Sequence, residues 1–275
     1  MTKYMVGALD SLGVPYTKDN EQVKSFIDLV ADQFKQEGIL INYVNLCNFA
    51  RVETFDLQKI LRRDYQKGQY YKLVEQLNRR VIETTDNGRF DHPYNPQFLE
   101  QYYKHPEYPE TKITTELKQQ ANPTFLYTCG GMNLDHYLKF PTQEKQQIIP
   151  ELFRMKKHVR QTLLDIRNCL VSIQSLNPTM EIYMLGVYAM IEQKTLREIA
   201  QPIYQLYNNQ LKQIANELPQ VHYINIEGAK QYVAPQDNHP TFKGQCYMAD
   251  QVLDKMEKNG IVFKKERTYH KKDKS

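Results

Sequence analysis

Five short apolar runs, separated by stretches of helical periodicity, constrain this chain more than any other feature. The runs are Tyr4–Leu9, Ile39–Leu46, Thr124–Cys129, Glu181–Val187 and Val221–Ile226. Each has the length and the β-branched, aromatic or aliphatic content of a buried strand. Between them, apolar residues recur at helical spacing. Val23, Ile27, Val30, Ala31 and Phe34 do so before the second run, and Leu163, Ile166, Leu170 and Ile173 before the fourth. Ile199, Ile203, Leu206, Leu211 and Ile214 precede the fifth, and Val252, Leu253 and Met256 follow it. This alternation predicts a three-layer α/β sandwich, with a mostly parallel five-stranded sheet covered by helices on both faces. Right-handed crossovers then determine most of the topology.

The chain has 275 residues, 41% hydrophobic and 25% charged, which suits one large domain or two small ones. No linker rich in Gly, Pro or Ser divides it, so one domain over residues 1–263 is expected. The stretch at about 62–120 is long for a crossover between adjacent strands and reads as an insertion between strands 2 and 3. It holds a helical piece, Tyr70–Val81, and an aromatic, proline-rich part that includes Phe90–Pro96 and Tyr102-Tyr103. A lid or pocket wall is one reading of it. A surface excursion packed by its own Tyr and Pro residues is the other.

The net charge of +4 is concentrated near the end, in Lys264-Lys265-Glu266-Arg267 and His270–Lys274. Residues 264–275 are expected to form a solvated basic tail, and no nucleic-acid partner is expected. Cys47, Cys129, Cys169 and Cys246 are far apart and form no C-x-x-C pair, which argues against a zinc site. They read as small buried hydrophobes. No apolar leader is visible, and no segment reaches the roughly 18 apolar residues of a membrane span. A cytoplasmic location is therefore expected. Nothing in the sequence specifies an oligomeric state.

Ligands of a parallel sheet bind beyond the carboxyl ends of its strands. Ser11 follows the first run, Asn48–Ala50 the second and Gly130–Asn133 the third, while His239 lies in the loop after the fifth. Separate loops thus converge on one edge. A serine and a histidine far apart in sequence are the parts from which a nucleophile–base pair is built.

With these strings in place, the chain resembles the GDSL/SGNH hydrolases, a family of serine esterases and lipases. Leu9-Asp10-Ser11-Leu12 resembles the family's first block, with Leu9 in place of the first Gly. Asn45–Ala50 resembles the second, with Ala50 where Gly stands. Gly130-Gly131-Met132-Asn133-Leu134-Asp135 resembles the Gly-x-Asn-Asp block in either of two registers. One puts Asn133 at the oxyanion position, and the other puts Met132 there. Asp237-Asn238-His239-Pro240 resembles the Asp-x-x-His-Pro block but is one residue short, with Gln236 at the usual Asp place. The resemblance covers nearly the whole chain in block order, apart from the insertion.

The resemblance implies an SGNH-hydrolase or flavodoxin-like sheet and a serine ester hydrolase acting on a small-molecule ester. Ser11 would be the nucleophile and His239 the base. Asp237 or a backbone carbonyl would orient the imidazole. The N–H groups of Ser11 and Ala50 and the Asn133 amide would form the oxyanion hole, with Asp10 and Gly131 at the substrate. No metal or organic cofactor is implied. The altered blocks leave a second class open, a catalytically impaired member of the fold that binds a ligand. Other readings are blander. Ser11 alone could cap a turn, Gly130-Gly131 could be a strand-end turn, and Asp10 could be a metal ligand. His92 and His222 have no partner recognisable from the sequence.

Overall fold

Side chains of successive strand residues point to opposite faces, and here both faces are apolar. The computed structural model describes residues 2–8, 11–13, 24–47, 57, 113–128, 148–188, 194–233 and 240–269. The strands are β1 (Thr2–Ala8), β2 (Leu40–Asn45), β3 (Thr124–Thr128), β4 (Glu181–Leu185) and β5 (Val221–Ile224). They form one parallel sheet in the order β2-β1-β3-β4-β5. Tyr4, Val6, Phe125, Tyr127, Ile182 and Met184 enter one core, and Met5, Leu126, Tyr183 and Leu185 enter the other.

The helices are α1 (Phe26–Gln36), α2 (Ile113–Gln119), α3 (Ile148–Gln174), α4 (Lys194–Glu217) and α5 (Phe242–Lys258). Residues of α2, α3 and α4 fill the first core, and residues of α1 and α5 fill the second. The expected sandwich is therefore the one observed. Among the described residues, no helix is long and apolar enough to cross a membrane. Cys47, Cys169 and Cys246 are buried and outside any disulfide. Burial pushes the Cys169 thiol up to about 12, as befits a structural cysteine.

Local chemistry sets the ends of α1. Ser25 and Asp28 form a reciprocal capping box at its start. At its end, Gly38 has φ +77°, and the Ile39 N–H donates to the Phe34 carbonyl at 3.0 Å, closing a Schellman-type stop. The α4 stripe differs from the expected one. Tyr204, Tyr207, Leu211 and Ile214 face the core, and Leu206 is exposed. Tyrosine rings thus supply apolar volume that the aliphatic pattern missed, and residue 206 falls about 100° of helical rotation away from 207. Val23 lies outside the described residues.

The long connection between β2 and β3 also has a structural reason. These strands are not adjacent, because β1 lies between them. Its last part, within the expected insertion, is α2, whose Ile113 and Leu117 are buried in the first core. The Asn177 side chain holds this helix end by donating to the Leu117 and Gln120 carbonyls at 2.8 and 2.9 Å. Residues 58–112 lie outside the described residues.

The expected tail is anchored as far as Tyr269 through Arg267, Tyr269 and the Lys265 backbone, while Lys264, Lys265, Glu266 and Thr268 are exposed. Lys265 donates its N–H to Glu37 at 2.7 Å and accepts from the Gln33 amide at 2.9 Å. Arg267 reaches Asp250, Asp254 and Glu257, one turn apart along α5, at 2.9, 2.6 and 3.4 Å. Tyr269 is buried, and its hydroxyl donates to Asp250 at 2.8 Å. Residues 270–275 lie outside the described residues. Truncation after Lys264 is therefore expected to cost roughly 2–4 kcal/mol, from lost Tyr burial and lost ion pairs. The check is the urea midpoint of the truncated chain. An unchanged midpoint would show that the docked segment contributes nothing.

Candidate active site

In the strand order β2-β1-β3, the chain leaves β1 toward one side and continues on the other, so the carboxyl ends of β1 and β3 flank a topological switch point. The exits of three strands are level there. Gly7 is in register with Asn45, and Ala8 with Tyr127. The Thr128 hydroxyl donates to the Ala8 carbonyl at 3.1 Å, tying the end of β3 to that of β1.

Ser11 opens a 3-10 turn, Ser11–Gly13, directly beyond this point. Two buried amides hold its carbonyls. Asn45, at the end of β2, donates from Nδ2 to the Gly13 carbonyl at 2.8 Å and to Ser25 Oγ at 3.2 Å, and its Oδ1 accepts the Cys47 N–H at 2.9 Å. Gln245, on α5, donates from Nε2 to the Leu12 carbonyl at 2.9 Å, and its Oε1 accepts the Phe26 N–H at 2.8 Å. A buried amide left unpaired costs about 1–3 kcal/mol, so each side chain is confined to these partners. Gly13 lies so close to the β2 exit that a Cβ there would stand 2.4 Å from Cys47 Sγ.

The loop meant to carry the base has its two ends joined. Val233 and Pro240 form an antiparallel bridge. The backbone N–H and hydroxyl of Thr241 donate to the Tyr232 carbonyl at 2.8 and 2.7 Å. Thr241 also caps α5, accepting from the Gly244 N–H. Gly244 permits this closeness, since a Cβ would meet Pro240 at 2.7 Å and the Tyr232 carbonyl at 3.0 Å. Gln245 stands about 6 Å along the helix from Thr241. The first turns of α5 therefore abut both the Ser11 turn and the base of the loop 234–239.

Of the sequence-derived site residues, the structure places the Ser11 backbone. Asp10, Ala50, Gly131, Asn133, Asp237 and His239 lie outside the described residues. Their flanks are described: Cys47 before Ala50, Thr128 before Gly131, and Val233 and Pro240 on either side of Asp237 and His239. His222 has a partner after all, Glu181 at 2.6 Å. That pair joins the first residue of β4 to the second of β5, at the opposite edge of the sheet. Ser25 and Gln245 were missed, and Asn45 entered only as the first residue of the second block. Ser25-x-x-Asp28 was findable as a helix-start pattern. A buried glutamine held by backbone atoms 233 and 219 residues away has no local signature.

No family model matches the chain, and no curated protein matches it by sequence. Solved structures do match. The lipase Lip_vut3 from a goat rumen metagenome has a TM-score of 0.55 at 14% identity, covering 93% of this chain and 97% of its own. An extracellular lipase from Streptomyces rimosus has a TM-score of 0.54 at 9% identity, covering 92% and 98%. A catalytic mutant of Axe2, an acetylxylan esterase from Geobacillus stearothermophilus, has a TM-score of 0.51 at 10% identity, covering 96% of each chain.

The scaffold of the turn yields a test. Gly13→Ala is expected to destabilise the protein by about 1–3 kcal/mol through overpacking against Cys47. Adding Cys47→Ala removes the sulfur and should restore part of that loss. A double-mutant cycle in urea checks it, and strictly additive effects would refute the contact. Over nearly its whole length, this chain shares the α/β fold of these lipases and this esterase.

Proposed function

We propose that the protein is a serine ester hydrolase that forms an acyl-enzyme on Ser11 and acts on a small acyl ester or an acetylated carbohydrate. One observation carries this reading. The Ser11 turn is fixed at the switch point of the sheet, in a fold shared with lipases and an acetylxylan esterase. The catalytic substitution in the Axe2 structure replaces a serine near that protein's N-terminus, which is where Ser11 stands in this chain.

In this mechanism Ser11 Oγ attacks the ester carbonyl carbon as His239 takes its proton. The negative charge that develops on the carbonyl oxygen faces the N–H groups of Ser11 and Ala50 and the Asn133 amide. One such donor is worth about 100–1,000-fold in rate. If the loop adopts the register with Met132 in that position, the side-chain donor is lost and the two N–H groups remain. His239 returns the proton to the leaving alcohol. It then deprotonates a water that attacks the acyl carbon, and Ser11 regains its proton as the acid departs. Asp237 orients the imidazole, or a backbone carbonyl does. Asp10 and Gly131 line the substrate position. A reducing, cytoplasmic compartment fits the buried thiols of Cys47, Cys169 and Cys246.

Ala50, Leu134 and Gln236, each at a changed place in a block, favour a second reading, a ligand-binding protein with impaired catalysis. Hydrolysis of p-nitrophenyl acetate by wild type and Ser11→Ala separates the two. The first reading expects wild-type turnover, a loss of at least about 1,000-fold in the variant, and labelling of wild-type Ser11 by an organophosphonate. A folded wild type that neither turns over nor is labelled would sink it. Asp237→Asn is expected to slow turnover by up to about 10,000-fold if Asp237 orients the base. An unchanged rate would assign that role to a backbone carbonyl.

A further inference from the structure

We infer that Gln245 is a positioning residue that holds the Ser11 turn against the start of α5, the helix that follows His239 in the chain. This rests on the esterase reading above and deepens it.

Gln245 is 1% exposed, and each end of its amide is bonded to a backbone atom of a different segment. The donor end holds the Leu12 carbonyl, one residue after Ser11. The acceptor end holds the N–H of Phe26, the first residue of α1. The side chain comes from the second turn of α5, whose cap, Thr241, is itself bonded to the Tyr232 carbonyl across the base of the His239 loop. An amide suits both contacts, because its NH2 group donates to the carbonyl oxygen and its oxygen accepts the N–H.

The Ser11 turn is thus anchored from two directions. Through Gly13, Asn45 ties the turn to the sheet and to the start of α1, and through Leu12, Gln245 ties it to the start of α5, beside the Val233–Pro240 bridge. A nucleophile and base that approach from chain ends more than 200 residues apart need such a link, since a misplacement of about 1 Å costs about 100-fold in rate.

Gln245→Glu and Gln245→Met test the inference. Gln245→Glu keeps the shape and the acceptor for Phe26 and, as a carboxylate, loses the donor to Leu12. Gln245→Met keeps much of the length and loses both bonds. The assays are kcat and KM on p-nitrophenyl acetate, the second-order rate of phosphonate labelling at Ser11, and Tm, with rates normalised to folded protein. The expected result for each folded variant is a fall in kcat of about 10–100-fold with KM changed less than about threefold, and a parallel fall in labelling rate. A purely structural role predicts a lower Tm with kcat and labelling per folded molecule unchanged, and that result overturns the inference. If Gln245→Met does not fold, the kcat and labelling rate of Gln245→Glu decide. If Gln245→Glu does not fold either, Gln245→Asn, which keeps both amide groups on a side chain one methylene shorter, is judged by the same kcat and labelling criteria, and unchanged rates per folded molecule overturn the inference. An inert wild type would instead refute the esterase reading itself, whatever the variants do.

Discussion

A parallel sheet buried on both faces leaves only its edges and strand ends for chemistry, and this constraint governs the rest of the molecule. Tyr4, Val6, Phe125 and Tyr127 are committed to one core, and Met5, Leu126, Tyr183 and Leu185 to the other. Among the described residues, both faces are packed with apolar side chains. The carboxyl ends of β1, β2 and β3 are level, and the strand order opens a crevice between β1 and β3. A residue just beyond β1 therefore occupies the position that the topology makes available.

Buried polar side chains then determine how that position is held. Thr128 joins the two strand ends at the crevice, Asn45 fixes Gly13, and Gln245 fixes Leu12. These bonds run to backbone atoms, so they specify where the chain goes. Buried amides of this kind add little net stability but are costly to break, which suits them to defining one geometry. The docked C-terminal segment acts from outside. Through Arg267 and Tyr269 it covers α5, the helix that carries Gln245 and follows the His239 loop.

The strands were legible because β-rich apolar runs with helical spacing between them have few other solutions. The two cores followed from simple alternation. The face of α4 was less legible, because Tyr204 and Tyr207 bury large rings that an aliphatic pattern passes over, while Leu206 points to solvent. The anchoring of the segment after residue 264 was illegible for a related reason, since a run of basic residues shows no partner in one dimension. Here Asp250, Asp254 and Glu257 on α5 present carboxylates at one-turn spacing to receive Arg267. His222 likewise gained its partner Glu181 only by strand pairing.

The sequence by itself determined the fold class, the number of strands and the candidacy of Ser11, because periodicity and residue type act over short stretches of chain. The resemblance implied a flavodoxin-like sheet, and the tertiary structure showed the strand order that puts Ser11 at the switch point. It also decided the roles of Asn45 and Gln245. Nothing near Gln245 in sequence marks it as the partner of Leu12 and Phe26, which lie more than 200 residues away. Such a bond exists only after distant segments pack and exclude water, leaving each buried polar group to find its partner inside the protein.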